Sequence, residues 1–176
     1  MTELATVLGF LAVALFVFSY QMKTRCYIIA LGAASRVLYV TQYILLGAYE
    51  GALLDIVGFF ISLVCSQTER GFVKKHFWPI LILSNLVILA VGAFTYKNIF
   101  SLLAIFGVFF ETLALWLKKE RHIRIVSIFA APCWLLYNFQ SKAYGSVVGN
   151  VITLVSLAVA ILRYDVLKKE KKEKAS

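Results

Sequence analysis

Seven long stretches of this chain are almost free of charge: Leu4–Tyr20, Cys26–Leu46, Gly51–Ser66, Trp78–Thr95, Ile99–Leu117, Ile123–Tyr137 and Tyr144–Leu162. A helix that crosses a bilayer needs about 20 mostly apolar residues, and these runs are of that order. Barrel strands would instead alternate apolar and polar residues at period two, whereas these runs are continuous. A soluble fold fares no better. Of the 176 residues, 61% are apolar or aromatic and 15% are charged, against about 45–50% and about 25% in soluble domains. A soluble domain of this size leaves roughly a third of its unfolded surface exposed, and here much of that would be apolar. The expectation is an all-α membrane protein with seven transmembrane helices. The sixth run is the shortest and contains Pro132.

The loops provide an independent check. Lys and Arg concentrate in the cytoplasmic loops of membrane proteins. Fifteen of the 18 Lys and Arg lie in alternate connections and the tail: Lys23 and Arg25; Arg70, Lys74 and Lys75; Lys118, Lys119, Arg121 and Arg124; and six from Arg163 onward. The intervening connections hold only Lys97 and Lys142, and Arg36 lies inside the second run. Six spans would break this alternation. The N-terminus is therefore expected outside and the C-terminus in the cytoplasm. The first run follows Glu3 without a basic residue and without a small-residue cleavage site, so it is expected to remain as a span.

The net charge of +9 thus sets orientation and does not imply nucleic acid. The tail, KKEKKEK over 168–174, reads first as a stop-transfer flank. Its second reading is contact with anionic lipid head groups, each Lys being worth about 1 kcal/mol there. Cys26, Cys65 and Cys133 have no metal-ligand spacing. No metal or other cofactor is expected, and the sequence leaves a homo-oligomer open.

The chain also repeats itself. Ala33-Ala34-Ser35-Arg36-Val37-Leu38-Tyr39 aligns with Ala131-Pro132-Cys133-Trp134-Leu135-Leu136-Tyr137 at an offset of 98, which also pairs Gly9 with Gly107. An offset of 95 pairs Ala48-Tyr49 with Ala143-Tyr144 and Asp55 with Asn150. Three spans end on the side opposite their start, so a second copy in the same orientation needs one extra crossing. The division is a first three-helix repeat over 1–66, a linker helix over 67–96, a second repeat over 97–165 and a basic cytoplasmic tail over 166–176. Parallel repeats of this kind place a substrate site between them near the midplane.

Two resemblances follow. Pro132-Cys133-Trp134-Leu135-Leu136-Tyr137-Asn138, Gly145 through Gly149, and Leu162-Arg163-Tyr164, with Leu45-Leu46-Gly47-Ala48-Tyr49 in the first repeat, resemble the bacterial YgjV-type inner-membrane family. More distantly, the 3+1+3 layout is similar to the SWEET and PQ-loop transporters. That resemblance implies movement of a small polar solute by alternating access. It also implies pocket roles for Trp134 and Asn150, with Asp55 where those transporters carry an asparagine. Their hinge proline has no counterpart in Leu4–Tyr20 or Ile99–Leu117.

The residues themselves lead to the same region. A charge at the bilayer centre costs about 2.5–3.5 kcal/mol on insertion scales, so an ionisable residue in a span faces protein and has a partner. There are three: Arg36, Asp55 and Glu111. Arg36 lies about 15 Å from either end of its run, and Glu111 about 18 Å from Ile99. Arg36 can pair with Asp55 within one repeat or with Glu111 across the repeats. Its expected role is to bind an anionic group or to hold a pocket shut. Glu111 is a coupling candidate, as a proton carrier, or an ion-pair partner. Trp134 and Tyr137 are one turn apart and share a face, which can stack on a solute or on Arg36. Asn138 and Asn150 can hydrogen-bond a solute, whereas Asn85 and the Gly51-x-x-x-Asp55 and Gly145-x-x-x-Gly149 spacings read as helix packing.

No HExxH, GxSxG or phosphate-cradling glycine loop is present, so no catalytic residue is assigned and an enzyme is not expected. The expectation is a transporter of a small polar or charged solute, with Arg36, Asp55, Trp134, Tyr137, Asn138 and Asn150 at the site. The alternative is a non-transporting scaffold or partner protein on the same fold.

Overall fold

A computed structural model describes residues 2–166. It is all helical: α1 (Thr2–Gln21), α2 (Arg25–Leu46), α3 (Tyr49–Ser66), the short α4 (Gly71–Lys75), α5 (Phe77–Thr95), α6 (Ile99–Trp116), α7 (Glu120–Gln140), α8 (Tyr144–Ile161) and a π-helical turn at Leu162–Val166. The basic run at 168–174 lies outside the described residues. Each apolar run became one helix, with its ends moved by at most three residues. The sequence reading did not anticipate α4 or the π turn.

Six of these helices are long and apolar enough to cross a membrane, and α7 is the exception. It is 21 residues long, but its opening turns carry Glu120, Arg121, His122 and Arg124. The loop count placed Arg124 in a connection, yet it lies inside α7 and is buried. Its guanidinium reaches the carbonyls of Tyr20 and Met22, at 3.4 and 3.2 Å, and stacks on Tyr164. The polar start of α7 therefore binds another helix end.

Most neighbouring helices are joined by two or three residues, which makes them antiparallel hairpin partners. Around the bundle the packed order is α1, α2, α3, α6, α7, α8 and back to α1, while α5 packs only on the outside of α3 and α6. The connections divide into two ends. One holds Gly47, Asn98 and Ser141 and is called the Gly47 end; the other holds Arg25 and Leu117 and is called the Arg25 end.

Two connections at the Gly47 end have the same local shape. Gly47 closes α2 at φ 70° and Lys142 follows α7 at φ 58°. In each case the next residue bonds back into the preceding helix, Ala48 N–H to Tyr43 O and Ala143 N–H to Asn138 O, both at 2.9 Å. Glycine adopts that left-handed backbone at no steric cost; Lys142 adopts it with a side chain. Between them, α6 starts at Asn98, whose side chain accepts from the Phe100 and Ser101 N–H groups while the Ser101 hydroxyl accepts from the Asn98 N–H. That reciprocal cap satisfies the free donors of a helix start.

If α7 crosses the bundle end to end, single cysteines at Lys119→Cys and Lys142→Cys, in a chain lacking Cys26, Cys65 and Cys133, will react with an impermeant maleimide from opposite membrane faces. Labelling of both from one face would contradict a crossing.

Candidate functional site

The centre of the bundle is built around one cation. Arg36 projects from the middle of α2 and is 3% exposed. Its Nη1 donates to Asp55 Oδ1 of α3 at 2.5 Å, and its Nη2 to Glu111 Oε2 of α6 at 2.8 Å. The sequence left these as alternative pairings; the fork of the guanidinium makes both at once. A planar group with two outward N–H edges can hold two carboxylates from two helices, which a point-like ammonium does less well.

Two glycines make room for the cluster and its neighbour. A Cβ on Gly58, one turn after Asp55, would stand 2.8 Å from Arg36 Cζ. A Cβ on Gly107, one turn before Glu111, would stand 2.9 Å from Trp134 Nε1. The guanidinium therefore lies on the backbone of α3 and the indole on that of α6.

A small cavity lies on the Gly47 side of the cluster, lined among others by Tyr43, Asp55, Trp134, Asn138 and Asn150. A second small cavity lies on the Arg25 side and is lined by residues that include Ser19, Tyr20, Leu115 and Ser127. Phe16, Arg36 and Glu111 border both. Much of this volume is thin crevice, and each cavity has room for about one or two water molecules.

Most of the residues singled out from the sequence meet here. Arg36, Asp55 and Glu111 form the cluster, and Trp134, Asn138 and Asn150 line the first cavity. Trp134 stacks on Tyr43, with centroids 6.2 Å apart and planes at 15°, rather than on Arg36. Asn138 accepts from the Tyr43 hydroxyl at 2.7 Å. Asn150 is 6% exposed and its Nδ2 has no partner. The hydroxyl of Thr153, one turn further along α8, is likewise unpartnered. Of the two, only Asn150 lines the cavity. Asn85 bonds back to Leu81 O on its own helix, at 2.8 Å.

Tyr137 is placed differently. It shares a face with Trp134, with ring centroids 5.8 Å apart, but it does not line the central cavity. Its hydroxyl accepts from Gly51 N–H at 3.0 Å. Above it, an open recess at the Gly47 end is bordered by Glu50, Lys97, Asn98 and Gln140, and Lys97 pairs with Glu50 at 3.1 Å. Tyr137 therefore stands between recess and cavity.

Four further residues tie α1–α3 to α6–α8. At the Gly47 end, the Ser146 hydroxyl of α8 donates to Gln42 Oε1 of α2 at 2.7 Å. At the Arg25 end, Arg25 donates to the carbonyls of Leu115 and Leu117 at the end of α6, at 2.6 and 3.0 Å. It also reaches Cys65 O and the Thr68 hydroxyl. Arg124 does the corresponding work for α1. A cation at a helix C-terminus answers both the free carbonyls and the negative dipole end. Thus α2 bonds to α6 and α8, while α7 bonds to α1 and α3. Tyr43 could have been read from its spacing, seven residues after Arg36 on the same helix face. Gln42, Arg25 and Arg124 had no comparable signal.

Fold and site together define a multi-pass α-helical membrane protein with a buried ion cluster at its centre. Residues 3–168 match the bacterial inner membrane protein family Imp-YgjV, and the chain belongs to that family. No curated protein and no solved structure matches it.

Gly58→Ala and Gly32→Ala separate close packing from helix propensity. Gly32 has open space around its Cβ position, so Gly32→Ala is expected to be neutral or slightly stabilising. Gly58→Ala must displace the guanidinium and should cost about 1–3 kcal/mol of unfolding free energy. Equal effects in a denaturation series would contradict the close fit.

Proposed function

We propose that this protein is an inner-membrane carrier of a small polar or charged solute, working by alternating access between two halves of three spans with α5 as linker. The observation that carries the reading is the pair of cavities on opposite sides of one buried ion cluster, sharing Phe16, Arg36 and Glu111. A solute held beside the cluster has one closed path to each membrane face. Toward the Gly47 end the closure is Tyr137 on Gly51, Tyr43 on Asn138 and Ser146 on Gln42. Toward the Arg25 end it is Arg25 and Arg124 on the ends of α6 and α1.

The matching turns at Gly47 and Lys142 and the reciprocal bonding of α2 and α7 support two equivalent halves. Such halves can exchange one set of closing bonds for the other by rocking. Arg36 holds the site together from within, since both edges of its guanidinium are taken by carboxylates. Asn150 and Trp134 are the groups left to meet a solute, and Glu111 is the candidate for coupling to protons. The charge asymmetry of the connections supports placing the Gly47 end outside and the Arg25 end in the cytoplasm. The reading assigns the chain no catalysis.

A second reading, a non-transporting scaffold or partner protein, is favoured by one observation. The polar recess with Glu50 and Lys97 lies at a surface of the bundle, where a partner could dock, and the centre is nearly full.

A cysteine at Asn150→Cys, in a chain free of other cysteines, decides between them. The carrier predicts modification by a small impermeant methanethiosulfonate from either face of the membrane. Protection from both faces, with full reaction after denaturation, would support the scaffold and contradict the carrier.

A further inference from the structure

The central cluster is one charge out of balance: it holds two carboxylates, Asp55 and Glu111, against the single guanidinium of Arg36. Among the described residues, no other cation acts on either carboxylate. The other polar side chains lining the two cavities are of uncharged types: Ser19, Tyr20 and Ser127 on one side, and Ser35, Tyr39, Tyr43, Trp134, Asn138 and Asn150 on the other. A net charge buried in a low-dielectric interior is costly, so the cluster is most stable when one monovalent cation completes it.

We propose that the carried solute is a small organic ammonium ion, and that it exchanges with a single proton on the Asp55–Glu111 pair. The surroundings suit such a cation. Tyr39, Tyr43 and Trp134 line the same cavity as both carboxylates, and aromatic faces attract ammonium groups, most strongly where water is excluded. The unpartnered Asn150 amide, buried and bordering that cavity, is left to bond a polar substituent on the solute. An anion is disfavoured here, because the one guanidinium already faces two carboxylates.

The exchange balances. In the empty site one carboxylate carries a proton, and the cluster is neutral. When the ammonium enters, that proton leaves to the solvent on the open side, and the cluster is neutral again. Each cation moved one way therefore moves one proton the other way. The proton and the ammonium compete, so binding weakens as pH falls, by about tenfold per pH unit on the acid side of the transition. A quaternary ammonium cannot lose its own proton, so its pH dependence reports the protein alone.

This inference rests on the carrier reading, and the following test separates the two. The purified full chain is melted with tetramethylammonium or methylammonium, with acetate, and with a neutral alcohol of matched size, at constant ionic strength across a pH series. The expected result is stabilisation by the ammonium ions alone, with an apparent affinity that rises as pH rises. Glu111→Gln removes the charge imbalance, and should weaken ammonium binding by about tenfold or more and flatten its pH dependence. Asn150→Asp adds a negative charge, and should strengthen binding. These opposite signs cannot both come from general damage, and Asn150→Asp carries the test alone if Glu111→Gln does not fold. Stabilisation by acetate or by the alcohol, with none from ammonium, would overturn the cation proposal and leave the carrier reading standing. Ammonium binding that ignores pH would overturn the exchange. No stabilisation by any probe, with Asn150→Cys protected from both faces, would overturn both.

Discussion

One guanidinium, shared between two carboxylates from different helices, is the interaction on which the interior depends. Arg36 joins α2 to α3 and to α6 at a single point, deep in a region where an unpaired charge has no water to turn to. The members are not separable. Removing one partner of a buried pair typically costs about 3–5 kcal/mol, because the other charge is left uncompensated. Replacing a whole buried ionic group by apolar residues of similar volume is often neutral, or stabilising by about 1–4 kcal/mol. A protein gains little stability from such a cluster that leucines could not supply. Its presence therefore argues for a use that needs charge, and the cavities beside it suggest that use.

The periphery of the bundle follows from the same logic at its ends. Helix termini carry free N–H and C=O groups, and in this ring several of the groups that answer them come from helices across the bundle. Arg25 answers α6 and Arg124 answers α1, while Tyr137 answers the start of α3 and Gln42 bonds Ser146 at the start of α8. These bonds join α1–α3 to α6–α8, and Arg25 in addition holds the end of its neighbour α3 through Cys65 O and the Thr68 hydroxyl. The central cluster also spans the halves, through Arg36 and Glu111, but it lies between the two sets of closing bonds.

Much of this arrangement can be read in the amino-acid sequence, and the parts that cannot have a common reason. The helices follow from long apolar runs, and their hairpin pairing follows from connections of two or three residues. Arg36, Asp55 and Glu111 stand out because an ionisable residue is costly in hydrocarbon, so their presence alone marks the interior. Sequence spacing could not show that Arg36 takes both acids together. That depends on the angle between α3 and α6 and on the room left by Gly58. Arg25 and Arg124 carried no such signal, since a basic residue beside an apolar run is ordinary at a membrane interface. Only packing shows that they reach the ends of other helices. The same holds for Gln42 and Ser146, whose polar atoms are too common in membrane helices to be singled out. Tyr137 shows the limit from the other direction: its shared face with Trp134 was readable, but its position above the cavity was not.

The central claim is that the three ions form one unit kept for its charge and not for stability. Unfolding free energies of Arg36→Met, Asp55→Leu, Glu111→Leu and the triple variant test it directly. The account predicts that Arg36→Met alone is the most destabilised, and that the triple variant returns to within about 1 kcal/mol of the native chain. It also predicts that the triple variant no longer responds to ammonium ions. If the costs of the three single changes instead add up in the triple variant, the cluster is a set of independent structural contacts, and the account is wrong.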